Sequence, residues 1–146
     1  MDAAMVEAMR DAFIDVPLHR FVGLEVDEVG APGRAVMSIP LGPNALGRTG
    51  QLHGGAISLL CDLVCAAAAS TASTYDPLTT ALVTADLHVR YLGAARGDRV
   101  TATGTLVKAG RSLVVVTAEV VDAEGRQVAI ADFSATLVAV RPRLDG

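Results

Sequence analysis

The stretch His53-Gly-Gly-Ala-Ile-Ser-Leu-Leu-Cys-Asp-Leu-Val-Cys-Ala-Ala-Ala-Ala-Ser70 decides how this chain folds. Residues 53–74 predict one helix, opened by two glycines and carrying only small polar residues among Ala, Leu, Ile, Val and Cys. A helix apolar on nearly all sides belongs inside a fold rather than on its surface. Its most hydrophobic part, Ala56–Ala69, is 14 residues long and is interrupted by Asp62. It is too short and too charged to cross a bilayer.

Working outward, the flanking segments predict the sheet that covers this helix. Before it, Met1–Val16 places Met5, Met9, Ala12, Phe13 and Val16 near helical spacing and stops at Pro17. Phe21–Val29 and Ala35–Leu41 read as strands joined by Gly30-Ala-Pro-Gly33, and a glycine-rich loop runs from Gly42 to Gly50. After it, four long strands follow: Thr80–Leu92, Val100–Ala109, Ser112–Asp122 and Gln127–Val140. In the first of these, alternation puts Ala81, Val83, Ala85, Leu87, Val89 and Tyr91 on one face. Thr84, Asp86, His88 and Arg90 fall on the other. The joining turns are short, so neighbouring strands are antiparallel. Helices and strands do not alternate, so the fold is α+β, one curved antiparallel sheet around a central helix with an extra N-terminal helix. No repeat or linker divides the chain, and residues 1–146 are expected to form one domain with its core at about 20–140.

Composition narrows the function. The 146 residues are 51% hydrophobic and 19% charged, which excludes intrinsic disorder. Twelve Lys and Arg against sixteen Asp and Glu give a net charge of −4, so no nucleic-acid partner is expected. Five scattered aromatics provide no base-stacking platform. The N-terminus lacks the basic end and uninterrupted apolar run of a signal peptide, and a reducing cytoplasm suits Cys61 and Cys65, read as two small buried residues. No metal is expected, because these cysteines have no further ligands at a zinc-like spacing.

Two features point to chemistry. His53-Gly54-Gly55 opening a helix leaves backbone N–H groups at the positive end of the dipole, open to a substrate oxygen, as in an oxyanion hole. Asp62, a carboxylate in an apolar run, is a candidate general base or nucleophile. Eight residues separate Gly54 from Asp62, or roughly 12 Å along a helix. A reacting carbonyl must lie about 3 Å from both groups. One chain cannot place both around one carbon, so a shared site needs Gly54 of one subunit and Asp62 of another.

These residues, with the glycine-rich loop before them and His88-Val-Arg-Tyr-Leu92 after, resemble the hotdog-fold acyl-CoA thioesterases, nearest to the phenylacetate-pathway (PaaI-like) subgroup. The resemblance covers roughly residues 20–140. It implies a homodimer or homotetramer with paired sites at the interface, an acyl-CoA substrate whose CoA is no separate cofactor, and no membrane partner. Gly54 matches the glycine whose amide polarises the thioester carbonyl, Asp62 the carboxylate that activates water or attacks the carbonyl carbon, and Thr84 a residue that orients water. His53 matches the motif histidine, a support for the loop. Relatives often carry Asn or Gln six residues before that histidine. Here Gly47 stands there, flanked by Asn44 and Gln51, either of which could assist the carbonyl, while Gly55 belongs to the same substrate-binding turn. Coenzyme A is anionic, and Arg90, Arg96, Arg99, Lys108 and Arg111 against Asp98 give a local +4. Arg90, Gly110 and Arg111 match the nucleotide-contact region.

The expected activity is hydrolysis of an acyl-CoA to free acid and CoA. Two other readings remain open: an acyl-thioester hydratase or dehydratase, and a non-catalytic acyl-CoA-binding dimer. A hydratase would pair an active histidine with a carboxylate. His53 and Asp62 are nine residues apart, about half a turn out of phase on the helix.

Overall fold

The computed structural model describes residues 2–72 and 75–140. Its elements in chain order are α1 (Ala3–Ile14), α2 (Pro17–Val22), β1 (Glu25–Glu28), β2 (Arg34–Pro40), α3 (Gly54–Ser70), β3 (Thr80–Tyr91), β4 (Arg99–Ala109), β5 (Leu113–Asp122) and β6 (Gln127–Ala139). The six strands form one antiparallel sheet in the order β1-β2-β4-β5-β6-β3, curved around α3. The α+β reading therefore holds, although β3 lies beside β6 rather than beside β4, the strand it joins through the short 93–98 turn.

The helix packs closely because small residues meet a glycine. Ala67, Ala68 and Ala69 are fully buried. A Cβ built on Gly104 of β4 would lie 2.7 Å from the Val64 carbonyl oxygen and 3.3 Å from Ala68 Cβ. Only a residue without a side chain lets backbone approach backbone this closely. Around this contact Leu60, Val64, Val100, Val114, Val116, Val120 and Phe133 close the core.

Three expectations need correction. Pro17 does not simply end the first helix. That helix stops at Ile14, and Pro17 starts a second one, because proline is pre-organised for the first helical turn and lacks only an N–H that would be unpaired there. Gly23, at φ 75°, then caps α2 in the left-handed conformation that favours glycine. Phe21 and Val22 are therefore helical, and the first strand shrinks to Glu25–Glu28. The central helix ends at Ser70 rather than at 74. The Ser70 and Thr71 hydroxyls donate back to the carbonyls of Ala66 and Ala68 at its end. Residues 73 and 74 lie outside the described residues.

The third correction concerns β3. Its pairing with β6 slips between Thr84 and Asp86, leaving Ala85 as an extra residue. Such a bulge reverses the side-chain parity of the strand beyond it. Leu82 and Thr84 therefore share the helix-facing side with Leu87, Val89 and Tyr91, while Val83 turns outward. Unbroken alternation would have put Thr84 and Tyr91 on opposite faces.

The β5–β6 turn is anchored by Asp122. Burial alone would raise its carboxyl pKa. The amides of Arg126, Arg96 and Glu124 and the Arg126 guanidinium all donate to it, and together they hold it down to about 2. In the unfolded chain the group returns to about 3.9. The folded form thus binds fewer protons, and its advantage is present above that value and lost as pH falls towards 2. Acid titration of thermal stability should show wild-type Tm falling between about pH 5 and pH 2 more steeply than that of Asp122→Asn, which starts lower at neutral pH. Gly104→Ala should destabilise the fold by about 1–3 kcal/mol, read from urea unfolding, because the helix must move away from β4.

Candidate active site

The N-terminus of α3 is built by a tight loop. Gly47 N–H donates to Gln51 O (2.7 Å), His53 N–H donates to Ala45 O (2.8 Å), and Leu46 bridges Leu52. His53 is the N-cap, and its Nδ1 accepts from Gly55 N–H at 2.8 Å. That bond fixes Nδ1 as an acceptor, so the neutral ring carries its proton on Nε2. Ala56 and Ile57 N–H both donate to His53 O. Gly54 N–H alone among these first donors makes no hydrogen bond to any described residue. An unpaired N–H at the positive end of a helix is suited to an oxygen carrying partial negative charge.

Asp62 lies two turns further along α3 and is half-buried. Thr84 Oγ1 donates to its Oδ1 at 2.9 Å, whereas Oδ2 has no partner among the described residues. One oxygen is thereby oriented and the other left free. Asp62, Asn44, His53, Gly55, Ser58, Leu59 and Leu87 line a cleft of about 580 Å³, walled by Leu18 and Phe21 of α2.

Of the two candidate amides, Asn44 lines this cleft and Gln51 does not. Asn44 Nδ2 donates to Phe21 O (2.9 Å), fixing the cleft wall. Gly110 closes the β4–β5 turn, its N–H donating to Leu113 O, with exposed Arg111 beside it. Arg90 is exposed on the face of β3 turned away from α3. It pairs with Ile130, while Leu113 pairs with Thr136 on the same strand. Six residues of β6 therefore separate the two positions, roughly 20 Å. Arg99 is bound to Glu25. The local +4 of the sequence is thus dispersed over the sheet rather than gathered in one patch.

Two residues at the site escaped the sequence reading. Tyr91 OH donates to Gly54 O at 3.1 Å and shares a hydrogen bond with Ser58 Oγ, so it holds the first turn of α3 from β3. Ser58 stands four residues from both Gly54 and Asp62, a spacing that could have marked it. Alternation already put Tyr91 on the face of Leu87 and Val89, but its bond to Gly54 depends on how α3 lies across the sheet, which no local pattern shows.

A family model described as the Thioesterase superfamily matches residues 49–129, more than half of the chain and the span from the glycine-rich loop into β6. The chain belongs to the thioesterase superfamily. As a member it is a thioester hydrolase with the hotdog fold, of PaaI-like type. This thioesterase is 33% identical over 135 residues to the medium/long-chain acyl-CoA thioesterase YigI of Escherichia coli K12, covering 83% of this chain and 84% of that one. Its fold resembles a thioesterase family protein from Silicibacter pomeroyi (31% identity, TM-score 0.76, covering 93% and 98% of the two chains). It also resembles the phenylacetic acid degradation protein PaaI from Thermus thermophilus (27% identity, TM-score 0.72, covering 83% and 98%). Among the described residues, no helix of the thioesterase is long and apolar enough to cross a membrane.

The two thiols lie just behind the cleft, both free and buried. Burial and then the Asp62 charge push Cys61 up to about 12, and burial raises Cys65 further. Neither supplies thiolate at neutral pH, so neither suits a nucleophilic role. A thiol reagent at pH 8 should leave both cysteines unmodified in the folded thioesterase and titrate two after denaturation. Rapid reaction of the native protein would contradict their placement.

Proposed function

We propose that this thioesterase hydrolyses acyl-CoA, using a site made by two copies of the chain. The unpaired Gly54 N–H of one subunit binds the thioester carbonyl oxygen, and Asn44 assists with its second amide N–H. The partner's Asp62 acts on the carbonyl carbon. It either takes a proton from water as hydroxide adds, or adds directly to give an anhydride that water then opens. In both routes the C–S bond breaks, CoA leaves as the thiol after taking up a proton, and the acid is released. Thr84 holds one Asp62 oxygen so that the other faces the reacting carbon.

The observation that carries this reading is the pairing of a free helix-terminal N–H with a singly anchored carboxylate, roughly 12 Å apart by helix rise and therefore unable to meet one carbonyl in the same chain. The sheet edges favour a partner as well. One edge, β1, is four residues long, irregular and acidic. The other, β3, presents twelve residues with one side unpaired among the described residues. A long open edge is a template for a second strand, and a two-fold pairing of β3 with its copy would double the sheet and bring the two α3 stripes together. Arg90 and Arg111 are too far apart to grip one nucleotide from the same subunit. A CoA touching both would draw them from different chains.

Asp62→Asn should keep the fold and oligomer while lowering CoA release by about 10²-fold or more, the scale of a lost general base. Gly54→Pro tests the other half. Proline is tolerated at the first helical position, and His53 at φ −65°, ψ 132° has the extended conformation that a residue before proline requires. The substitution removes the N–H and sets a ring carbon in ordinary contact with Tyr91, so the fold should persist by circular dichroism while activity falls by about 10²–10³-fold. Mixing the two inactive variants should restore activity, because half of the re-formed dimers then carry one intact site of two, or about a quarter of the wild-type rate. Failure to complement would exclude the shared site.

A further inference from the structure

The stripe of α3 that carries Asp62 continues past it. Beyond the two N-terminal glycines, the residues of α3 that are not buried are Ser58, Leu59, Asp62, Ala66 and Ser70. Steps of three and four residues place them in a row on one face. At the far end of the row lies a second cavity, of about 720 Å³, lined by Met5, Met9 and Phe13 of α1, Ser70 and Thr71 at the end of α3, and Tyr75. Helix α2 stands between the two cavities. Leu18 and Phe21 wall the Asp62 cleft, whereas His19 lines the second cavity and is tied through Nδ1 to Phe13 O at 2.6 Å.

The chemistry of this cavity is that of an alkyl site. An apolar cavity of ~150 Å³ already suffices to hold benzene, and this one is several times larger. The hydroxyls of Ser70 and Thr71 are engaged with the Ala66 and Ala68 carbonyls, and Thr71 also accepts from Gly33 N–H. They ask little of a ligand. Helix α1 has no fully buried residue: Phe13 and Ile14 lean on the core at its C-terminal end, while Met5, Met9 and Ala12 line the cavity. Two of the residues leaning over that void are methionines, whose flexible thioethers adapt to chains of different shape.

We propose that this cavity holds the distal end of a linear acyl chain, reached from Asp62 along the stripe past Ala66. The proposal rests on Asp62 acting at the thioester carbonyl, as set out above. Eight residues from Asp62 to Ser70 span roughly 12 Å. An extended alkyl chain advances about 1.3 Å per carbon, so carbons beyond about the ninth enter the cavity. Shorter acyl groups end over Ala66. The preferred substrates are therefore acyl-CoAs of about ten to fourteen carbons.

The test measures CoA release across saturated acyl-CoAs from acetyl to palmitoyl, and binding of free dodecanoate by calorimetry. In the wild type, kcat/KM should rise by roughly three- to fourfold per methylene over the carbons that enter the cavity. Ala12→Phe, which fills the cavity from α1, and Ala66→Leu, which blocks the stripe, should each lower the dodecanoyl-to-butyryl ratio of kcat/KM at least tenfold and weaken dodecanoate binding. A ratio unmoved by both variants, or no rise beyond ten carbons, overturns the cavity assignment and leaves the hydrolase intact. Absence of CoA release from every acyl-CoA, with dodecanoate binding that Ala12→Phe abolishes, overturns the hydrolase and leaves the cavity. If Ala12→Phe instead changes the oligomeric state in sedimentation with the ratio unmoved, the cavity is covered by a second copy and the proposal falls.

Discussion

The close packing of α3 against the sheet is the constraint on which the other features rest. A small-residue helix lies on Gly104 with backbone almost touching backbone, and ten of its residues are buried in that contact and its surroundings. Only one stripe of the helix escapes. Whatever polar chemistry α3 carries must lie on that stripe, since a carboxylate on any other face would be sealed among aliphatic side chains without a partner. Asp62 is on the stripe, half-buried, with one oxygen held by Thr84.

Reaching Asp62 from the sheet takes a defect in the sheet. Without the extra residue at Ala85, the side of β3 that packs Leu87 and Val89 against the core would present Ala81 and Val83 at its other end, and Thr84 would face away. The bulge lets one strand serve two ends of the helix. Its first half supplies Thr84 to the carboxylate, and its last residue supplies Tyr91 to the Gly54 carbonyl. The same strand is an edge of the sheet, so the elements that order Gly54 and Asp62 also border the surface at which a second copy is proposed to pair.

At the helix start, a local competition for donors decides what is free. His53 uses its ring nitrogen to satisfy Gly55 and its carbonyl to satisfy the next two residues, leaving Gly54 N–H open. A Cβ on Gly55 would lie 2.9 Å from that ring nitrogen, so the second glycine makes room for the cap, whereas a Cβ on Gly54 would meet only the Tyr91 ring at ordinary contact distance. The two adjacent glycines thus have different duties.

The sequence alone determined the α+β class, the buried central helix and the antiparallel β4–β5 and β5–β6 pairs, and it marked Asp62 and the His53-Gly54-Gly55 turn as candidates for chemistry. These follow from local signals: apolar periodicity, turn residues and one charge where apolar residues dominate. Helix spacing also sets Gly54 and Asp62 of one chain roughly 12 Å apart, too far to meet at one carbonyl carbon. The tertiary structure decided the rest. It turned Phe21 from a strand residue into a wall of the cleft, moved Thr84 and Tyr91 to one face, separated Arg90 from Arg111, and chose Asn44 over Gln51 as the amide lining the cleft. Each of these depends on which distant segments pair and where their register slips, and a single inserted residue changes every side chain beyond it without leaving a mark in the local pattern.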